Sequence, residues 1–340
     1  MNSIILDRDG FVDAKPGEGT LLMHSGSLVR LLGQKNVKNL DYSEFTNPRP
    51  IGKGATATVY LTTSRRKNYA LKSLNNNLDM DKRKLKLLSQ EIINLYHAAY
   101  PNIIKLYGIS REPRTGNFML VLQYANNGSL RNYLRRKCND GLYSISWNEI
   151  CSITKGIING LIYLHGKGIF HRNLHSNNIL INDGKALISD FGIPKYLNDT
   201  SNPGAATMIA YTDPQYIIEK KSERDQKSDI YSLGVLFWEL TSGVPPFQNY
   251  TVMAIYQEII VRNNRERIIE GTPPAYVDLY VRCWSFDSNE RPPLDSILYT
   301  INELEKLLES SNKFITHNLG GFDSDQNMNN HGDSPTSSNL

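Results

Sequence analysis

The sequence predicts an α+β fold built as two segregated lobes. Three observations carry this. Strand-like segments crowd residues 45–124 with one helical interruption. Helical periodicity takes over in residues 125–308. The change falls at a polar stretch, Ala125-Asn126-Asn127-Gly128. Strands followed by helices, rather than alternating with them, argue for two segregated lobes, the first strand-rich with one helix and the second mainly helical.

The elements follow in order. Residues 1–44 form an N-terminal extension in which apolar pieces (Ile4-Ile5-Leu6, Leu21-Leu22-Met23) alternate with Gly, Pro and charge. No period is sustained, so either a short docking extension or a loose leader fits. Asn47-Pro48-Arg49-Pro50 punctuates the approach to Ile51-Gly52-Lys53-Gly54. Val59-Tyr60-Leu61 and Tyr69-Ala70-Leu71-Lys72 read as two strands of a hairpin that turns between Ser64 and Asn68. Leu85, Leu88, Ile92 and Leu95 recur at helical spacing over 81–97. Strands return at Ile103–Tyr107 and Phe118–Leu122. Helices are expected at 129–137, 146–166, 226–242, 250–262, 274–283 and 293–309. Residues 309–340, rich in Ser, Asn, Asp and Gly with Phe322 the single aromatic after Phe314, are expected to be a disordered tail.

Bulk properties narrow the function. A net charge of +4 over 340 residues is too mild to argue for nucleic acid. The basic run Lys82-Arg83-Lys84 with Lys86 reads as the solvated face of a helix. Three cysteines, Cys138, Cys151 and Cys283, have no metal-ligand spacing. With no signal-peptide pattern and no run long enough to span a bilayer, a cytoplasmic location is expected.

Several motifs, in sequence order, carry chemistry. Gly52-Lys53-Gly54-Ala55-Thr56-Ala57 with Val59 is a glycine loop whose bare backbone lets phosphates approach. Lys72 lies one strand later, and Glu91 sits on the helix that follows. His171-Arg172-Asn173 is followed at five residues by Asn178, and Asp190-Phe191-Gly192 comes next. Further on stand Tyr211-Thr212-Asp213-Pro214-Gln215, Ser228-Asp229-Ile230-Tyr231-Ser232, and Cys283-Trp284-Ser285-Phe286-Asp287 with Arg291-Pro292. The ordered set resembles the protein kinase superfamily, nearest its tyrosine-kinase-like group, over residues 45–308. The resemblance implies the two-lobed α+β kinase fold, a small antiparallel-sheet lobe with one helix and a large, mainly helical lobe, divided at about 124 with a nucleotide between them.

It also implies roles. ATP would be cradled by Ile51, Gly52, Gly54, Val59, Ala70 and Lys72, with the backbone of Gln123 and Ala125 on adenine, Leu122 guarding the pocket and Leu180 forming its floor. Glu91 would pair with Lys72. Asn178 and Asp190 would hold Mg²⁺, a hard cation suited to such oxygens. Asp229 would anchor the backbone of the catalytic loop.

The departures from the pattern are as telling as the matches. The position of the proton-accepting Asp is Asn173, whose amide has no basic oxygen at neutral pH. His175 and Asn177 stand where the family's subgroups carry a Lys or an Arg beside the transferred phosphate. Ala57 replaces the third loop glycine. Gln215 replaces the family's Glu, so the charge of Arg291 is left unmatched unless Asp213 compensates. Candidate phosphorylation sites are Thr200, Ser201, Thr207, Tyr211 and Thr212.

The expected function is therefore an ATP-binding kinase-like domain in signalling, a pseudokinase acting as switch or scaffold on a protein partner. The alternatives are a weakly active Ser/Thr or Tyr kinase with a protein substrate, and a structural module that binds no nucleotide. Neither nucleic acid nor a membrane span is expected.

Overall fold

In a computed structural model of the chain, residue 30 and residues 32–54, 57–74, 82–191, 205–219, 224–308 and 313–319 are described. Among these, the chain forms two compact units: one from the residues up to Asn126 together with 187–191, the other from 127–186 and the residues from 205 onward. The two-lobed expectation holds, with the correction that a short return segment after Ala186 belongs to the first unit.

The first unit is a five-stranded antiparallel sheet in the order β1-β2-β3-β5-β4. Its strands are β1 (Thr46–Lys53), β2 (Ala57–Ser64), β3 (Lys67–Leu74), β4 (Leu106–Arg111) and β5 (Phe118–Gln123). β5 is central and reads FMLVLQ, with its first five side chains buried, as a strand covered on both faces requires. The β2–β3 turn is the two residues Arg65 and Arg66, both at positive φ (48° and 64°), the backbone of a tight hairpin loop. Phe45, Leu71, Met119 and Val121 form a core cluster, with Leu40, Tyr42, Tyr60, Tyr69 and Tyr107 packed around it.

Helix α1 (Lys82–His97) belongs to this unit, as expected from its periodicity. Ile92 and Leu95 are buried from its apolar stripe. The strand expected at Ile103–Tyr107 starts later, because Ile104 N–H donates to Ile188 O and Ile103 bridges Ile188 instead of joining β5.

The extension is resolved in favour of docking where it is described. Leu32 and Val37 are buried, Leu40 N–H donates to Ile109 O, and Ile109 N–H donates to Lys38 O. Gly108 permits this approach: a Cβ there would lie 2.4 Å from Lys38 O. The boundary expected at residue 45 thus moves earlier. Residues 1–29, with their apolar pieces, lie outside the described residues, as do Ala55, Thr56, Gly192, Thr200, Ser201 and Phe322.

The second unit is helical. Its elements are α2 (Leu130–Arg135), α3 (Trp147–Gly166), α4 (Ala205–Ala210), α5 (Pro214–Glu219), α6 (Gln226–Ser242), α7 (Val252–Tyr256), α8 (Pro274–Cys283) and α9 (Leu294–Leu308). α6 is buried on every side from Ser228 to Ser242 and is the centre of this unit. Asp225 caps its first turn, and Gly243 ends it at φ 73°. That glycine also makes room for Tyr143, whose ring would lie 2.3 Å from a Cβ. α9 lays Leu294, Ile297, Ile301, Leu304 and Leu308 inward.

Three readings change here. The helix expected over 250–262 is α7 followed by a π-helical turn, Gln257–Val261. The short helices α4 and α5 carried no periodicity long enough to find. The tail expected to be disordered from 309 instead holds strand β10 (Phe314–Asn318), which pairs residue for residue with β7 (Leu142–Ser146), itself paired with the two-residue β6 (Cys138–Asn139). Ile315 is buried, and His317 Nε2–H donates to Thr241 O at 3.1 Å. One buried Ile at this strand, worth roughly 1.5–3 kcal/mol, is enough to hold a segment whose composition looks polar. The last pair, β8 (Ile179–Asn182) and β9 (Lys185–Ile188), turns at Asp183-Gly184, both at positive φ.

Candidate active site

In the first unit the structure brings Lys72, Asp190 and Glu91 together. Lys72 is in mid-strand on β3, opposite Val59 of β2 and Leu120 of β5. Its Nζ lies 2.6 Å from Asp190 Oδ1, with both side chains largely withdrawn from solvent. Burial pushes the Lys72 amine down, but the Asp190 charge, its hydrogen bond and the Glu91 charge more than offset this, and the net shift is upward. Lys72 is therefore a cation at any physiological pH. Glu91, half-buried on α1, is close enough for its charge to raise the Lys72 amine as well. Asp190 sits at φ 55°, a left-handed backbone that aims its carboxylate at Lys72.

The other nucleotide residues of this unit fall on β1, β2, β3 and β5. Ile51 is exposed on β1, Gly52 pairs with Val59, and Gly54 N–H donates to Ala57 O at 2.8 Å. Ala70 is buried beneath the sheet opposite Leu122. Gln123 N–H is already spent on Lys105 O, so any contact of its backbone with a base would run through its carbonyl. Ala125 is buried just after β5.

In the second unit the loop 171–178 is held by its backbone. Asp229, buried on α6, accepts from His171 N–H and Arg172 N–H, both at 2.8 Å, and lies 2.8 Å from His165 Nε2. This is the anchoring role expected of it. Arg172 is at φ 65°, and its Nε–H donates to Arg224 O while Arg224 donates to Arg172 O. Arg131 of α2 holds the loop from the other side: Nε–H to Ser176 Oγ at 3.0 Å, an ion pair with Glu239 at 2.9 Å, and Nη2–H to Tyr211 Oη at 3.1 Å. The Tyr211 hydroxyl also donates to Glu239. Burial raises the Glu239 carboxyl and, with the Glu239 charge, the Tyr211 phenol. Neither Arg131 nor Glu239 is legible in the sequence, because a buried pair between distant helices leaves no spacing to read.

Asn173 is buried in this loop. Asn178 Nδ2 donates to Asn173 O at 2.9 Å, which fixes the two asparagines relative to each other. Asn173 N–H points to His171 Nδ1 at 3.3 Å. The Asn173 side chain is different: among the described residues its Nδ2 meets no acceptor. His175 accepts from Asn177 N–H at Nδ1, and Leu180 bridges Ser129. The hydroxyls of two candidate phosphorylation sites, Tyr211 and Thr212, are engaged internally, on Glu239 and on Met208 O, and both residues are buried.

Gln215 is where the expectation of an unmatched charge is corrected. Asp213 grips Arg291 with both oxygens, Oδ2 to Nη1 at 2.7 Å and Oδ1 to Nη2 at 2.9 Å. The rest of the guanidinium donates to the carbonyls of Ser285, Lys227 and Phe286. Every N–H of Arg291 is thereby used. Gln215 contributes only its backbone, donating to Asp213 Oδ1.

Comparison with known proteins agrees with this geometry. Residues 45–301 match the family described as protein tyrosine and serine/threonine kinase. The chain is 27% identical to the serine/threonine/tyrosine-protein kinase HT1 of Arabidopsis thaliana, over 84% of this chain and 73% of that one. It is 29% identical to human mitogen-activated protein kinase kinase kinase 7, over 79% of this chain and 43% of the relative. It is 28% identical to the tyrosine-protein kinase Abl of Drosophila melanogaster, over 67% of this chain but 14% of the relative. No described helix is long and apolar enough to cross a membrane. The chain belongs to the protein tyrosine and serine/threonine kinase family.

Proposed function

We propose that this kinase domain binds ATP with Mg²⁺ and is a pseudokinase, a nucleotide-dependent switch or scaffold whose phosphoryl transfer is crippled at Asn173. The observation that carries the reading is the buried Asn173 amide: among the described residues, a donor without an acceptor at the position where the reaction needs a proton acceptor.

The nucleotide half rests on the first unit. Lys72 is a permanent cation placed for phosphate oxygens, and Asp190 is a carboxylate for the metal. Gly52 and Gly54 are not required by the protein's own packing, since an added Cβ would meet nothing nearer than 4.0 and 3.6 Å. A bare backbone there is explained by something that approaches from outside. When bound, Mg²⁺ would neutralise charge on the phosphates. Lys72 would orient them, Asp190 and Asn178 would hold the metal, and Asn173 could orient an attacking hydroxyl without taking its proton.

The second reading, a weakly active kinase, is favoured by Asp229 and Arg131, which hold loop 171–178 by several hydrogen bonds. Phosphoryl transfer depends heavily on positioning and metal electrostatics, so a held loop retains part of the catalysis. A single-turnover assay with radiolabelled ATP on the purified chain, with Asp190→Ala as control, separates the two. Turnover at an ordinary kinase rate of ~1–100 s⁻¹ would exclude the pseudokinase. A shift in melting temperature with Mg-ATP, blunted in Lys72→Ala, tests nucleotide binding by mass action.

A further inference from the structure

Every sheet edge is a row of alternate N–H and C=O groups open to pairing, and folded chains block such edges with Pro, charge, bulges, brevity or a covering segment. The described edges of this protein are blocked in these ways, with one exception. β1 carries Pro48, Arg49, Pro50 and Lys53 and has two register irregularities against β2. β4 is covered by residues 38–40 through two hydrogen bonds with Ile109. β6 has two residues. β8 is covered by 127–129, with Asn127 N–H on Ile181 O and Ile181 N–H on Gly128 O. β9 meets 102–104 at Ile188. β10 is the exception. It reads Phe-Ile-Thr-His-Asn, with no proline, no Lys, Arg, Asp or Glu, and an unbroken register against β7. It ends its sheet, order β10-β7-β6, and among the described residues no strand lies on its outer side. Its first residue, Phe314, is 60% exposed.

From this contrast we infer that the outer edge of β10 is an interface for a second copy of the same chain, the two β10 strands pairing antiparallel about a two-fold axis to join two three-stranded sheets. The occupant follows from the strand's own chemistry. A two-fold interface must be self-complementary, and a strand bearing a formal charge at its centre would set like charges opposite each other. β10 has none. With Thr316 on the axis, Thr316 faces its equivalent, Ile315 faces His317, and Phe314 faces Asn318. Paired threonines are favourable cross-strand neighbours. Thr316 points to solvent and Ile315 and His317 to the body, so the alternation of the existing sheet continues across the axis unchanged. The strand is also fixed before any partner arrives. Ile315 is buried, Ser144 and Thr316 share a hydroxyl hydrogen bond at 3.0 Å, Trp147 N–H donates to Lys313 O, and Leu319 N–H donates to Gly141 O. The edge therefore needs no ordering to bind, which removes one of the usual costs of association. The inference does not depend on nucleotide binding or on the state of Asn173.

Sedimentation of the full chain tests it. The wild type should sediment at micromolar concentration with twice the 38.5 kDa mass of one chain. Thr316→Lys should return it to a folded monomer that still unfolds in one cooperative transition, because position 316 is exposed. Thr316→Cys, in a Cys138→Ser background, should form an interchain disulfide under mild oxidation much faster than Asp295→Cys, an exposed control. A dimer indifferent to Thr316→Lys overturns the inference. So does a monomer in which position 316 crosslinks no faster than position 295, and so does a monomer whose β10 edge takes up unrelated extended peptides instead of its own copy.

Discussion

Two positions have lost a carboxylate of the family's pattern, and the protein treats them in opposite ways. At Gln215 a carboxylate is gone from the chain position, yet Arg291 keeps a full complement of partners, because Asp213 two residues earlier takes over with both oxygens. At Asn173 a carboxylate is gone, and among the described residues nothing takes over: the amide nitrogen meets no acceptor there. Arg291 is buried within a helical unit, where an unmatched charge would cost several kcal/mol of folding free energy. Asn173 is neutral, so its orphaned donor costs less, roughly 1–3 kcal/mol. Folding restores what the fold needs and is indifferent to what the chemistry needs.

The largest expected effect comes from restoring the second position. Asn173→Asp should raise phosphoryl transfer by up to ~10²–10⁴-fold, the usual worth of general-base help. ATP affinity, measured by calorimetry, should stay the same, since Lys72, Asp190 and the glycine loop are untouched. A variant as inert as the wild type on a broad peptide library would mean that the contrast is false and a second lesion exists.

Breaking the first position should cost stability of comparable size. Asp213→Ala leaves Arg291 buried and unpaired, a loss of ~3–5 kcal/mol in urea unfolding. A loss below about 1 kcal/mol, the scale of exposed ion pairs, would show that the pair is not the replacement it looks like.

Truncation gives an intermediate effect. Ending the chain at residue 319 should leave the unfolding midpoint alone, whereas ending it at 312 removes Ile315 and the β7 ladder and should cost roughly 1.5–3 kcal/mol or more. Equal midpoints would return residues 313–319 to the disordered tail that their composition suggests.

A pH measurement adds a third kind of buried charge, one with neither a full replacement nor an orphaned donor. Glu266 accepts from Phe247 N–H, and burial pushes its carboxyl up to about 7 from 4.5. An acid whose pKa rises on folding binds more protons in the native state, so its contribution declines as pH rises from about 4.5 through 7. Glu266→Gln should flatten that part of the stability–pH curve. A wild-type curve that instead climbs through this window, and keeps its shape in Glu266→Gln, would refute the assignment.

What the sequence made legible follows from how each feature is encoded. The β2–β3 hairpin, β5, α1, α3, α6, α8 and α9 were visible because burial imposes a period on consecutive residues. Lys72, Asp190, Asn173 and Asn178 were visible because they sit in short motifs of fixed spacing. β6, β7 and β10 were not, because a five-residue strand at the chain's end owes its place to a partner over a hundred residues away. The same holds for Arg131 with Glu239: the chemistry is pairwise and the separation arbitrary. Asp213 lay between these cases. Its nearness to Gln215 suggested compensation, but only the geometry of its two oxygens could establish it.

The smallest effect tests the contrast most closely. Gln215→Glu puts the family's carboxylate back where Arg291 no longer has an N–H to offer, since Asp213 and the carbonyls of Ser285, Lys227 and Phe286 use all of them. The new charge would also sit beside Asp213, which needs no second anion. Stability should therefore change by no more than about 0.5 kcal/mol, as for a substitution that makes no new buried contact. In the Asp213→Ala background the same change should behave differently, because Arg291 then has donors to spare, and Gln215→Glu should recover part of the loss. Such a non-additive pair is what a shared partner produces. If Gln215→Glu stabilises the wild type by more than 1 kcal/mol, then Arg291 was not satisfied, and the compensation at Asp213 is incomplete. If the double variant recovers nothing, position 215 cannot reach the arginine, and the charge has moved to Asp213 for good.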